Sequence, residues 1–258
     1  MQQIKLKCLV IREVDFSEHD RYITVLTEHG RKLEVLCRGV RRKNKAGSAA
    51  ARLFCWSELE LFERRGKYAL DGASLINSFW GVTQDVEAYA LACYLAELAA
   101  AMSDPGEDVP ALTRLFLGAL HMLSTGKRAP ALVKPAFELR LMAESGFLPQ
   151  LAPCAVCGAE LRADGVWFSV RAGTAACGGC AARLGADYRR LPEGTAAAMQ
   201  HILTSELRRV YAFTLGGDSL RVLGEICEDY VVYYADRLFD SLRFYHSLSQ
   251  LPLPQPRR

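Results

Sequence analysis

The sequence predicts an α+β chain with more than one domain, a small N-terminal β-barrel followed by an α-helical domain that carries a four-cysteine, zinc-ribbon-like module. Three observations predict it. Apolar and polar residues alternate with period two through about the first eighty residues, punctuated by turn residues. After Trp80-Gly81 the apolar residues recur at helical spacing instead. Two Cys-x-x-Cys pairs, Cys154/Cys157 and Cys177/Cys180, interrupt the helical part with nineteen residues between them.

Strands are expected at Ile4 to Val14, Arg21 to Thr27, Arg31 to Arg38, Leu53 to Phe62 and Ala73 to Phe79. His29-Gly30 separates the alternating runs Tyr22, Thr24, Leu26 and Leu33, Val35, which is a hairpin signal. An antiparallel meander of five short strands can close a small barrel, and the OB-fold is a common solution of that size. An SH3-like barrel has the same strand count. Thr83 can cap the next helix, whose first turn carries Asp85 and Glu87 and which runs to Met102. Asp104-Pro105-Gly106 reads as a loop, Pro110 as a first helical turn and Gly126 as that helix's end. Further helices are expected from about Pro135 to Ser145, from Pro192 to Val210 and from Ser219 to about Leu248. The three-proline tail Leu251 to Arg258 is expected to fray. The division is 1–80 for an OB-fold DNA-binding domain and 81–258 for a helical domain, with the cysteine module inserted at about 150–185.

A formal charge of +3 and a pI near 8.4 decide little, so a nucleic-acid reading must rest on where the cations lie. The N-terminus lacks a long apolar h-region. The most apolar helical stretch, Leu91 to Met102, holds Glu97 and is too short to cross a bilayer. Cys8, Cys37, Cys55, Cys93 and Cys227 sit singly among apolar neighbours, as free thiols of a reduced compartment do. A cytoplasmic protein is therefore expected.

The paired cysteines carry the strongest chemistry. Each C-x2-C knuckle aims two thiolates at one ion, and two knuckles complete a tetrahedral all-sulfur shell. Two disulfides or four unrelated thiols are the alternatives, the first disfavoured in a reducing compartment and the second by the paired spacing. Cys154, Cys157, Cys177 and Cys180 are thus expected to hold one Zn2+, and four protein ligands leave no position for substrate, so the ion is structural. Pro153-Cys154-x-x-Cys157 is half of a zinc-deaminase signature. The upstream His-x-Glu is missing, since His19, His29 and His121 are followed two residues on by Arg21, Arg31 and Leu123. Nucleotide-binding and hydrolase motifs are absent as well.

Arg38, Arg41, Arg42, Lys43 and Lys45 place five cations in eight residues, a loop that could follow a nucleic-acid backbone. A run of that kind is also what an ordinary solvated loop looks like. Arg64, Arg65 and Lys67 could extend the basic surface. Tyr22, Phe54, Trp56, Phe62 and Tyr68 could stack on bases or fill the barrel.

The segment Phe137-Glu138-Leu139-Arg140-Leu141-Met142, then Gly146-Phe147-Leu148-Pro149 and Cys154-x-x-Cys157-Gly158, resembles the approach to the zinc site of the RecO family. Phe168-Ser169, Gly173, Cys177 and Cys180 are similar to that family's second half-site. Arg38-Gly39-Val40-Arg41-Arg42 resembles its basic stretch, and Tyr230 to Tyr245 with Ser241-Leu242-Arg243-Phe244 its C-terminal helix. Ala175-Ala176 departs from the glycine and bulky residue often found there. The resemblance implies an N-terminal OB-fold, a helical body and a zinc module. It also implies a non-enzymatic mediator that binds single- and double-stranded DNA, anneals complementary strands and, with RecR, helps RecA displace single-strand-binding protein, whose C-terminal tail it contacts. The rival classes are a zinc-dependent nucleic-acid-modifying enzyme and a protein scaffold that never touches DNA.

Overall fold

The computed structural model describes residues 2–42, 47–103, 108–162 and 165–248. The loop expected at 104–106, the tail from 251 and the cations Lys43 and Lys45 lie outside them.

Five strands close a barrel in the order β1-β2-β3-β5-β4: β1 Gln2–Asp15, β2 Arg21–Thr27, β3 Lys32–Cys37, β4 Trp56–Arg64 and β5 Lys67–Asn77. Four pairings are antiparallel, but β3 and β5 pair in parallel through Val35↔Tyr68 and Leu36↔Ala69. This corrects the expectation of a purely antiparallel meander. The reason is directional: β4 returns to pair antiparallel with β1, so its hairpin partner β5 must meet β3 running the same way.

Along β1 the stretch Cys8, Leu9, Val10, Ile11 is buried throughout instead of alternating. Cys8 and Val10 pack inside the barrel with Ile23, Val25, Val35 and Leu59. Leu9 and Ile11, together with Leu26, belong to the core of the helical part. One residue at Ile11 is bulged out of register between Val10↔Val25 and Arg12↔Thr24. A strand buried on both faces loses its period-two signature.

The helices are α1 Val86–Ala101, α2 Pro110–Ser124, α3 Pro130–Glu144, α4 Gly178–Leu184, α5 Glu193–Thr204, α6 Gly217–Ala235 and α7 Asp240–Leu248. Asp85, not Thr83, caps α1, its carboxylate accepting from the Ala88 N–H at 2.8 Å. Thr83 is spent in a preceding 3-10 turn, where its hydroxyl donates to the Trp80 carbonyl. Helix α3 begins at Pro130 and carries Pro135 in its interior, five residues before the sequence expectation would start it near Pro135. Proline suits a first turn, and an interior proline forfeits one backbone bond that packing on both sides offsets here. The expected helix to Val210 ends at Thr204 and is followed by a separate 3-10 turn. The expected Ser219 to Leu248 helix is two helices, broken where Asp236 turns left-handed at φ 48° so that Phe239 is buried and α7 folds back on α1.

Barrel and helices are joined by polar contacts as well. Lys32 Nζ donates to the Ala100 and Ser103 carbonyls at 2.7 and 2.5 Å, satisfying the carbonyl end of α1. Thr113 Oγ1 donates to the buried Thr27 carbonyl at 2.8 Å. Gly30 has φ +82°, and a Cβ there would lie 1.9 Å from the Val109 carbonyl oxygen, so both backbone conformation and close approach require glycine.

Within the body a polar chain, buried at Tyr94, Lys134 and Glu138 and reaching the surface at His246, ties four helices. Tyr94 of α1 donates to Glu138 of α3 at 2.7 Å, Lys134 pairs with Glu138 at 2.9 Å and with Glu228 of α6 at 2.7 Å, and His246 of α7 contacts Glu228 at 2.8 Å. Burial pushes the wholly enclosed Glu138 carboxyl above its ordinary range, against the pull of Lys134. Removing one partner of such a set strands a buried charge. Lys134→Met is expected to cost about 3–5 kcal/mol in chemical denaturation, and adding Glu138→Gln to it should recover part of that loss. A single variant within 1 kcal/mol of wild type would show that the chain is not a structural pin.

Candidate metal centre and nucleic-acid interface

Strands β6 Val166–Ser169, β7 Thr174–Cys177 and β8 Arg189–Arg190 form a three-stranded sheet in the order β7-β6-β8 that supports the cysteines. Cys154 and Cys157 lie on a turn closed by the Gly158 N–H donating to the Cys154 carbonyl at 2.9 Å. Cys177 ends β7 and is the cap residue of α4, which brings Cys180 round one turn later. Together these put four sulfurs within 4.8 Å of one another. A tetrahedral ion with metal–sulfur bonds near 2.3 Å needs sulfurs about 3.8 Å apart. The Cys157 and Cys177 sulfurs are separated by 3.9 Å.

The electrostatics favour a cation at the centre of the cluster. Backbone N–H groups of Cys157, Cys177 and Val156 bring the Cys154 thiol down to about 6, so it is ready to ionise. At Cys180 a hydrogen bond from Arg183 at 3.3 Å favours the thiolate, yet the neighbouring sulfurs, Cys177 first, push the thiol up to about 11. Four thiols this close cannot all lose their protons unless positive charge is supplied between them. The donor set therefore fits a metal ion with no position left for a substrate, and all four sequence-predicted ligands meet in one place.

The module is seated on α6. Phe168 packs on Tyr230 with ring centroids 6.2 Å apart, the Tyr230 hydroxyl donates to the Phe147 carbonyl and that of Tyr234 to the Arg171 carbonyl, both at 3.2 Å. The segment that leads into the cysteines also has a structural task. Arg140 donates to the Ile202, Leu203 and Ser205 carbonyls at 3.0, 3.1 and 2.8 Å, closing the C-terminal end of α5.

The sequence-predicted cations separate on the barrel. Arg41 and Arg42 line a groove of about 680 Å3 together with Arg21, Arg52, Trp80 and Tyr89. Arg38 is exposed at the end of β3, outside that lining. Arg64, Arg65 and Lys67 sit at the β4–β5 turn, also away from it. Four arginines face one carboxylate in the groove, Glu13, which pairs with Arg21 and lies 3.8 Å from Arg52. Asp15 pairs with Arg21 at 2.8 Å and lies 3.5 Å from Arg41. Arg42 has no side-chain partner among the described residues. Partial burial, then Arg52 and Arg41, draw the Arg21 guanidinium below its ordinary value.

Of the aromatics weighed from sequence, Phe54 is buried, Trp56, Phe62 and Tyr68 are half-buried, and Tyr22 is exposed against Phe16. Sequence reasoning misses Arg21, Arg52, Trp80 and Tyr89 as groove residues. Arg52 ends the small-residue stretch after the basic run and could be read with it. Nothing local marks Arg21, Trp80 or Tyr89, because strand pairing and the start of α1 bring them there.

Two family models match the chain. Residues 1–79 match the family model described as Recombination protein O N terminal, and residues 83–243 the one described as Recombination protein O C terminal. A DNA repair protein RecO from Acetivibrio thermocellus is 28% identical over 251 residues, covering 97% of this chain and 99% of its own. One from Symbiobacterium thermophilum is 30% identical over 242 residues, covering 93% and 95%. One from Anaeromyxobacter sp. (strain K) is 30% identical over 255 residues, covering 97% and 99%. Among the described residues no helix is long and apolar enough to cross a membrane.

Gly173 offers a direct test of how the cysteine module is held. It has φ +64°, and a Cβ would lie 2.8 Å from the Tyr234 hydroxyl and 3.2 Å from that of Tyr230. Gly173→Ala is expected to cost about 1–3 kcal/mol and to expose the module to limited proteolysis while the barrel stays resistant. Unchanged protection would mean that the module is not held by α6.

Proposed function

This chain belongs to the RecO family of DNA repair proteins, and from that premise we propose that it is a recombination mediator. In this reading it binds single- and double-stranded DNA, anneals complementary strands and, with RecR, helps load RecA onto DNA coated with single-strand-binding protein. One observation carries the reading: the barrel groove gathers Arg21, Arg41, Arg42 and Arg52, with only Glu13 and Asp15 among the described residues as their carboxylate partners. Guanidiniums on a concave face attract phosphates and gain affinity by releasing counterions, with little regard to base sequence. Arg38, at the end of β3, and Lys43 and Lys45 beyond Arg42 would add to the approach.

The division of labour follows. Residues 1–80 act as the DNA-binding domain and 81–258 as the body that meets the protein partners, RecR and the C-terminal tail of single-strand-binding protein. Exposed Tyr233, Leu238 and Phe244 on that body supply apolar surface of the kind partners cover. Cys154, Cys157, Cys177 and Cys180 would hold one Zn2+. Bound there, the ion cross-links a segment too small for a core of its own and supplies no chemistry to a substrate. The protein in this reading works in the cytoplasm, at the nucleoid during repair, and makes or breaks no covalent bond.

Separate measurements test the groove and the metal. Wild-type protein should accelerate annealing of complementary oligonucleotides coated with cognate single-strand-binding protein, and a folded Arg41→Ala/Arg42→Ala variant should lose most of the acceleration. The slope of log affinity against log salt for single strands should fall by about 1.4 in magnitude, at about 0.7 per lost phosphate contact. No acceleration by the wild type at low salt would refute the mediator reading. For the metal, elemental analysis should find one zinc per chain, and Cys154→Ser should lose it together with several kcal/mol of stability, since binding at structural zinc sites is of the order of 10 kcal/mol in peptides. Normal melting of a zinc-free protein would refute the structural role.

A further inference from the structure

The groove contains a feature that phosphate binding does not use. Trp80 is 68% exposed on it, although its neighbour Phe79 is buried at 6%. The backbone enforces this division. Phe79 occupies the left-handed region at φ 46°, held by its N–H donating to Asn77 Oδ1 at 2.9 Å, so one ring enters the core and the next is turned out. A second bulky residue, Phe54, is also left-handed at φ 63°, and its ring supports Tyr89 edge to face at 5.7 Å. Such a backbone is strained for a bulky residue and persists where surrounding structure demands it. Two strained aromatics thus flank a groove in which an indole and a phenol stand among four guanidiniums.

We propose that Trp80, with Tyr89 beside it, is a stacking seat for an unpaired nucleobase, so that the groove selects single strands over duplex. This rests on the reading of the barrel as a nucleic-acid binder and goes beyond it. Phosphates are common to both forms of DNA, whereas an exposed base face belongs to a single strand; in a duplex the faces are stacked inside the helix. An indole gains stacking energy from any base, which keeps the preference independent of sequence. Arg21, Arg41, Arg42 and Arg52 would hold the backbone while the base turns onto the ring.

The test compares wild type, Trp80→Ala and Trp80→Phe on three probes at low salt: oligo(dT), a duplex, and a single strand of equal length with abasic sites in place of bases. The expected result is a loss of roughly ten-fold for Trp80→Ala on oligo(dT), with less than two-fold change on the duplex and on the abasic strand. Trp80→Phe should keep most of the affinity, and oligo(dT) should quench wild-type tryptophan fluorescence more than that of Trp80→Phe. No loss on oligo(dT), or an equal loss on all three probes, would overturn the stacking seat and leave the phosphate-binding groove standing. Failure of the wild type to bind any of the three would overturn the groove itself. Because Trp80 is largely solvent-exposed, melting of the variants should match wild type, and a fall in melting temperature would itself count against the seat by making the ring structural.

Discussion

One strand belonging to two cores holds this protein together. Cys8 and Val10 of β1 close the barrel interior, while Leu9 and Ile11 enter the core built by the helices. Fully burying a residue of that size contributes about 1.5–3 kcal/mol. The larger consequence is geometric. A barrel whose outer face is part of another core cannot roll against its neighbour, so the junction residues Trp80 and Tyr89 stay in register with Arg21 and Arg41 from β2 and the loop after β3. The groove lies at that junction. Lys32 at the carbonyl end of α1, and Gly30 against Val109, are further consequences of the same close approach.

The helical body uses the opposite device. Its helices share apolar surface, and the chain from Tyr94 through Glu138, Lys134 and Glu228 to His246 adds a directional constraint in their midst. Such a buried set contributes less to net stability than well-packed apolar residues could, but it tolerates very few relative positions of the helices. Glu138 and Arg140 belong, along the chain, to the family-like segment leading to the cysteines. Their work is in the body: one carboxylate in the buried chain and one guanidinium closing α5. The cysteine module is then joined to this framework through Phe168, Tyr230 and Tyr234, not through the cysteines themselves.

The two halves of the proposed function place different demands on the chain. Binding a nucleic-acid backbone needs cations held apart from neutralising partners, and on the barrel Glu13 and Asp15 balance only some of the groove's charge. Holding an ion in a structural site needs thiols drawn together in spite of their repulsion, which backbone N–H groups and Arg183 allow. Neither site requires a reactive group. The most perturbed side chains, Tyr94 and Cys227 among them, are raised mainly by burial in the body core, away from both sites.

What the sequence determined by itself is whatever depends on neighbours along the chain. The C-x2-C knuckles, the period-two strands β3 and β4, and the proline and glycine limits of α2 are set by spacing and local backbone preference, and each was legible. The family, too, was legible in motifs spread over the chain. Tertiary structure decided the rest. The continuous burial of Cys8 to Ile11, the parallel β3–β5 closure and the break at Asp236 each answer to a partner far away in sequence, so no local pattern announces them. The groove is the sharpest case. Arg41 and Arg42 were visible as charge, but Arg21, Arg52 and Trp80 join them only after the barrel closes and Phe79 turns inward, because burial of one ring in a shared core decides where the next must go.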